Sequence, residues 1–206
     1  MNFIVLVLSL SVHEWAHAWS AWKLGDDTAE RQGRLTLNPV AHLDPIGTVL
    51  LPLLGIPFGW AKPVPINPLR FRRSVNMRTG IAVTAAAGPL SNLGLAVICT
   101  VLLGVWWRVH PPYTGEADAA TAFLSAGALV NVSLALFNLL PVPPLDGSRI
   151  AFRLLSDRFP RFWGAVERYA PFLFIALVFG ARYILAAPLA FLHGVIVAVV
   201  SWIAGF

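Results

Sequence analysis

The sequence predicts an all-α polytopic membrane protein, and three observations carry that prediction. Of the 206 residues, 57% are hydrophobic and only 12% charged, about half the ~25% charge of soluble chains; mean hydropathy is +0.71. The apolar residues fall in runs at 2–22, 81–107, 122–141 and 170–187, against the ~20 residues a bilayer requires. The basic residues behind a pI of 10.1 sit in the loops between those runs. Together these features exclude a disordered chain, a nucleic-acid-binding surface and an ordinary soluble enzyme. Residues 1–206 read as a single membrane-embedded domain.

Taken in order, the run 2–22 has no Lys or Arg before Lys23 and no convincing small-residue cleavage site, so it reads as a permanent membrane helix rather than a signal peptide. Residues 46–58 (IGTVLLPLLGIPF) are apolar but short, and Pro52, Gly55 and Pro57 interrupt them. Such a run suits a re-entrant loop shielded by protein. Residues 59–68 (GWAKPVPINP) are too proline-rich for a central strand and suit a short edge strand or extended segment. After the runs at 81–107, 122–141 and 170–187, a last apolar stretch, 188–205, opens at Pro188. It fits a return span or an interfacial helix equally, giving one or two C-terminal helices. Eight Trp suit interfacial anchoring. The one cysteine, Cys99, lies in an apolar run, which leaves no disulfide within the chain and no cysteine metal cage. No internal repeat supports an inverted-repeat transporter.

Loop charge then orients the chain. Thirteen of the 15 basic residues lie in 23–80 and 142–169, whereas the loop 108–121 holds only Arg108 beside Glu116 and Asp118. The positive-inside rule places the two basic loops in the cytoplasm and the N-terminus outside. Alternation across three spans agrees with that assignment.

The sharpest motif is His13-Glu14-Trp15-Ala16-His17. On a helix, positions i and i+4 share a face, so His13 and His17 can converge on one metal ion. Glu14 lies beside them and can take a proton from a water. With 5 His in 206 residues and as few Glu, chance would supply this pattern about 0.002 times per chain. The competing reading is a pair of buried histidines bonded to neighbouring helices. It leaves Glu14 without a reason, and an ionisable group inside a span costs on the order of 3 kcal/mol.

A catalytic zinc site usually takes three protein ligands and keeps one position open. Glu30 and Asp44 lie on the same side but in the loop. Asp146 is better placed, in Asn138-Leu-Leu-Pro141-Val-Pro-Pro-Leu-Asp146-Gly147, where the third run meets its cytoplasmic loop. Prolines 141, 143 and 144 break the helix there, and such a break is tolerated where it is buried or lines a cavity. The plainer role of Asp146 is to cap the helical stretch beginning near Ser148; the HEWAH motif on the same side favours the ligand role.

HEWAH followed at a distance by NLLPVPPLDG resembles the site-2 protease family of intramembrane zinc metalloproteases. The segments Asn38-Pro39-Val-Ala-His42-Leu-Asp44-Pro45-Ile-Gly47, Gly59-Trp60-Ala-Lys62-Pro63 and Ala87-Gly88-Pro89-Leu-Ser-Asn92 resemble its compact bacterial branch without a PDZ domain. The resemblance implies a three-helix catalytic core, one Zn2+ per chain held by His13, His17 and Asp146, and a site a short way into the membrane from the cytosol. It further implies that Glu14 is the general base and that Asn138 helps hold the substrate or the oxyanion. The substrate would be a membrane protein with a transmembrane helix, cleaved in the plasma membrane of a bacterium. The lipid bilayer is the other partner, no nucleic acid is expected, and a homo-oligomer is compatible with the sequence. Residues 59–66 are the candidate edge to which an unwound substrate would pair.

Other residues carry two readings each. His42 and Asp44 suit partners behind a ligand histidine or a turn before Pro45. Gly88, Pro89 and Asn92 suit close helix packing and interhelical hydrogen bonding. His110 and His193 suit the interface, Arg182 snorkelling, and Cys99 packing. The rival function is an ion or proton translocator, which would spread acidic and histidine residues through several spans. Here they gather near one depth. An inactive scaffold would have no use for the full set His13, Glu14, His17 and Asp146.

Overall fold

The computed structural model describes residues 2–44, 46–47, 61–111 and 118–206, and within these it is helical, with no strand. Helix α1 spans Asn2–Leu24 and a single turn, α2, spans Thr28–Arg31. Then come α3 (Met77–Val109), α4 (Ala119–Asn138), α5 (Asp146–Leu155), α6 (Pro160–Arg168) and α7 (Ala170–Ala204). Helix α3 is the centre of the bundle, packed against α1, α4, α5 and α7.

The helix ends follow from local chemistry. The α1 terminus turns at Gly25, whose φ of 109° suits glycine, and Arg72 N–H donates to the carbonyl of Leu24 at 2.8 Å. Helix α3 starts at Asn76, whose side chain accepts from Thr79 N–H at 3.2 Å. Helix α4 starts at Asp118, which accepts from Thr121 N–H at 2.7 Å. It stops at Asn138, three residues short of Pro141.

Helices α3, α4 and α7 are long and apolar enough to cross a bilayer. Helix α1 has the length, with 23 residues, but HEWAH dilutes its apolar run, so it does not join them by composition. The polar groups are turned inward: His13 and His17 are buried while Phe3, Ile4 and Leu8 are exposed. The C-terminal stretch is neither a return span nor an interfacial helix. Helix α7 runs unbroken for 35 residues with Pro188 inside it. A proline removes one backbone donor and bends a helix, and in an apolar span that is tolerated. The expected re-entrant loop at 46–58 lies, from residue 48 on, outside the described residues. Residues 61–67 form no strand. The amides of Lys62, Val64 and Asn67 donate to His42 O, Glu14 and Asp26, and Pro63 and Pro65 have none. On the described part of the expected edge the amides of Lys62 and Val64 are thus engaged within the chain, and residues 59 and 60 of it lie outside the described residues.

Small residues let the helices approach closely. A Cβ on Gly127 would lie 2.7 Å from Cys99 Sγ, which seats α4 on α3. At the break between α4 and α5, a Cβ on Gly147 would strike the backbone of Leu139. That glycine lets the start of α5, with Asp146, fold back beneath the end of α4.

Candidate metal centre

His13 and His17 lie one turn apart on the inward face of α1, and α5 begins with Asp146 opposite them. His13 Nε2 is 3.0 Å from His17 Nε2, and Asp146 Oδ2 is 3.2 Å from the first and 3.3 Å from the second. Ligands about 2.0–2.1 Å from zinc at tetrahedral corners are about 3.3 Å apart. The triangle therefore fits three corners of a tetrahedron, and all three residues line a cavity. Among the described residues these three form the His/Cys/Asp/Glu group able to hold a metal ion.

The protonation of both rings follows from their other nitrogens. His17 Nδ1 is 2.7 Å from the carbonyl oxygen of Thr84, which can only accept, so Nδ1 carries the proton. His13 Nδ1 is 2.6 Å from Asn92 Oδ1. Asn92 Nδ2 donates to Asn131 Oδ1 at 2.8 Å and to the Ser9 carbonyl at 3.4 Å. That orients the amide so that its oxygen faces His13, and His13 Nδ1 is a donor too. Both Nε2 atoms then face the carboxylate, an arrangement a cation stabilises. Asn131 Nδ2 continues the chain to Ser9 Oγ at 2.9 Å. The network joins α1, α3 and α4, and Asn92 at its centre is fully buried.

Gly88 supplies the space. A Cβ there would strike His17 Nε2 and lie 2.6 Å from His13 Nε2, so only glycine lets α3 pass this close to the pair.

The cavity, of about 320 Å³, is lined by His13, Glu14, His17, Asn138, Asp146 and Arg149 among others. Glu14 is half-buried, and its Oε2 accepts from Val64 N–H at 2.9 Å. Prolines flank Val64 on both sides, so this is the one amide donor of residues 63–65, and it aims the carboxylate into the cavity. Asn138 borders the cavity but donates one N–H back to Leu134 O, 3.0 Å away in its own helix. The remaining N–H and the oxygen are what it can offer a substrate.

The structure thus brings together His13, Glu14, His17, Asn138 and Asp146. It leaves the other candidate ligands elsewhere. Glu30 accepts from Trp22 Nε1 at 3.0 Å, and Asp44 accepts from the amides of Ile46 and Gly47 in a local turn. His42 is buried, with Nε2 bonded to Thr36 O at 2.8 Å. The partners behind the histidine pair are Asn92 and the Thr84 carbonyl, not His42 or Asp44. Arg149 is a further cavity residue that the motifs did not single out. His110 stacks on Trp106, with ring centroids 4.0 Å apart, and His193 is exposed.

The sequence profile of Peptidase family M50 matches residues 112–180, a stretch that includes Asn138 and Asp146. A Bacillus subtilis protein named "Putative zinc metalloprotease YwhC" is 44% identical over 179 residues, 84% of this chain and 78% of that protein. A Mycolicibacterium smegmatis protein named "Putative zinc metalloprotease Rip2" is 34% identical over 141 residues, 68% of this chain and 52% of that protein. Its Mycobacterium tuberculosis namesake is 32% identical over the same shares; the chain spans about half the length of these mycobacterial relatives. No solved structure matches. With the Bacillus relative aligned over most of both chains, the chain belongs to peptidase family M50, the site-2 protease family.

Proposed function

We propose that this membrane metalloprotease cuts peptide bonds within or near the transmembrane segment of membrane-protein substrates, as a regulated intramembrane protease. The observation that carries the reading is the triangle of acceptors from His13, His17 and Asp146, edges 3.0–3.3 Å, opening on a cavity that Glu14 also lines. These three residues would hold one zinc ion per chain, which when bound supplies Lewis acidity to the attacking water and the scissile carbonyl. Glu14 accepts a proton from that water and delivers it to the leaving nitrogen. Asn138 donates its second N–H to the unwound substrate backbone or the developing oxyanion. Burial of the histidines limits bulk water, and Asn92 and Thr84 keep both rings turned to the centre. A helical substrate hides its carbonyls in its own hydrogen bonds, so it unwinds locally before cleavage. The basic loops support an orientation in which the site faces the cytoplasmic side of a bacterial plasma membrane. Clustering of the titratable groups at one site, rather than in a file across several helices, speaks against a proton or ion translocator.

The test pairs metal analysis of purified protein with cleavage of a model single-span substrate. Wild type should carry one zinc, and Asp146→Asn should bind it weakly and cleave poorly. Glu14→Gln should keep its zinc and lose about 10²–10⁴ in rate. Folded wild type without zinc, or Glu14→Gln with wild-type turnover, would overturn the reading.

A further inference from the structure

We infer that the turn joining α5 to α6 is a binding site for the headgroup of an anionic phospholipid. Residues 139–169 connect the end of α4 to the start of α7, two helices able to cross a bilayer, so α5 and α6 sit where membrane meets water. Trp163 is buried, and its ring lies 5.7 Å from Phe152, which clamps α6 to α5. That clamp turns the neighbouring side chains outward. Phe159 is 49% exposed and Phe162 61%. With Arg158, Pro160 and Arg161 they line an open hollow of about 420 Å³.

The chemistry of the hollow is specific. Among the described residues neither Arg158 nor Arg161 has a carboxylate partner. The adjacent Asp157 is already bonded to Arg78 Nη1 at 2.6 Å, and Arg158 rests over the Phe159 ring at 5.8 Å. Two unpaired guanidinium groups beside two exposed aromatic rings suit a ligand that is anionic at one end and apolar at the other. A guanidinium meets phosphate oxygens in a two-pronged geometry, and the rings reach acyl chains just below the headgroup. In water alone the two phenyl rings would be a liability; against a leaflet they anchor the turn. Because Asp146 opens α5, the same lipid would seat the helix that carries the third candidate ligand.

The inference rests on the span assignment and not on peptide hydrolysis, so it is tested on the full-length Glu14→Gln protein. That protein is reconstituted in phosphatidylcholine bilayers, and its association with spin-labelled phosphatidylglycerol is compared with that of spin-labelled phosphatidylcholine. The unaltered turn should prefer phosphatidylglycerol, and Arg158→Gln with Arg161→Gln should lower that preference by roughly fivefold per arginine. Arg158→Lys with Arg161→Lys keeps the charge but not the two-pronged contact, so its preference should fall between those of the unaltered turn and the Arg→Gln pair, which separates lost binding from lost folding. Phe159→Ser with Phe162→Ser should weaken association of the anionic lipid while leaving the arginines in place. Glycerol phosphate at millimolar concentration should not displace the lipid. Equal association of the two lipids, a preference indifferent to the Arg→Gln pair, or full displacement by glycerol phosphate would overturn the inference.

Discussion

At the scale of single residues, the centre is built by what stands behind the ligands. His13 donates to Asn92, which is locked by Asn131 and the Ser9 carbonyl. Without Asn92 the His13 ring can rotate or change tautomer, and Nε2 no longer faces Asp146. Asn92→Ala should therefore lower zinc affinity about 10–100-fold, measured by chelator competition. A variant that is merely less stable, with zinc affinity unchanged once folded, would reduce Asn92 to packing. Gly88→Ala makes a separate test. Alanine favours an ordinary helix interior over glycine by up to ~1 kcal/mol, but here its Cβ strikes both ligand rings. The variant should keep its helical circular dichroism and lose its zinc; normal zinc content would show that α3 yields at this point. These two residues also mark the limit of what the sequence discloses. HEWAH is visible because its two histidines are four residues apart, whereas Asn92 is 79 residues from His13 and acts only through the fold. The segment AGPLSN signalled close packing, which is correct, but no spacing rule says what a glycine is packed against.

Elements show where local rules sufficed. The prolines after Asn138 end α4 as their missing donors require, and Gly147 permits the fold-back that brings Asp146 to the histidines. Pro188 carried the same signal and meant something else, because a proline inside a long apolar helix bends it without ending it. Sequence cannot separate the two without knowing what packs around the residue. The connection from α3 to α4 offers a pH test. Asp118 caps α4 through Thr121 N–H and also accepts from Trp106 Nε1 at 3.0 Å. These bonds, the Thr121 amide foremost, hold its carboxyl below the ordinary range. A lowered pKa in the folded state means the stabilisation is present above the unfolded value of about 3.9 and is lost as pH falls through the folded value. Asp118→Asn should thus melt lower than wild type at pH 5, with the difference shrinking toward pH 2. A constant difference across that range would show that the charge is irrelevant and only the cap shape matters.

Across the whole molecule, the distribution of charge and aromatic anchors ties the site to one face of the membrane. Arg108 Nη1 donates to Ile203 O at 3.3 Å, so the C-terminal ends of α3 and α7 lie together, beside Trp106 and Trp107. Opposite them lie the C-terminal end of α1, with Trp19, Trp22 and Lys23, and the arginines of α5 and α6. Lys23 Nζ sits 4.8 Å from the Trp22 ring centroid, the pairing of an interfacial aromatic with a cation that anchors a helix end. Thirteen of the 15 basic residues belong to the loops at this end, and the positive-inside rule predicts that it faces the cytoplasm. The candidate ligands belong to the same half: His17 is seven residues from the end of α1 at Leu24, about 10 Å of helix rise, and Asp146 opens α5. The topology is checked with single cysteines in a Cys99→Ser background, at Glu167 and at Pro111, both exposed. An impermeant maleimide should label Glu167→Cys only from the cytoplasmic side and Pro111→Cys only from outside. The reverse pattern would turn the molecule over and place the candidate site near the outer face.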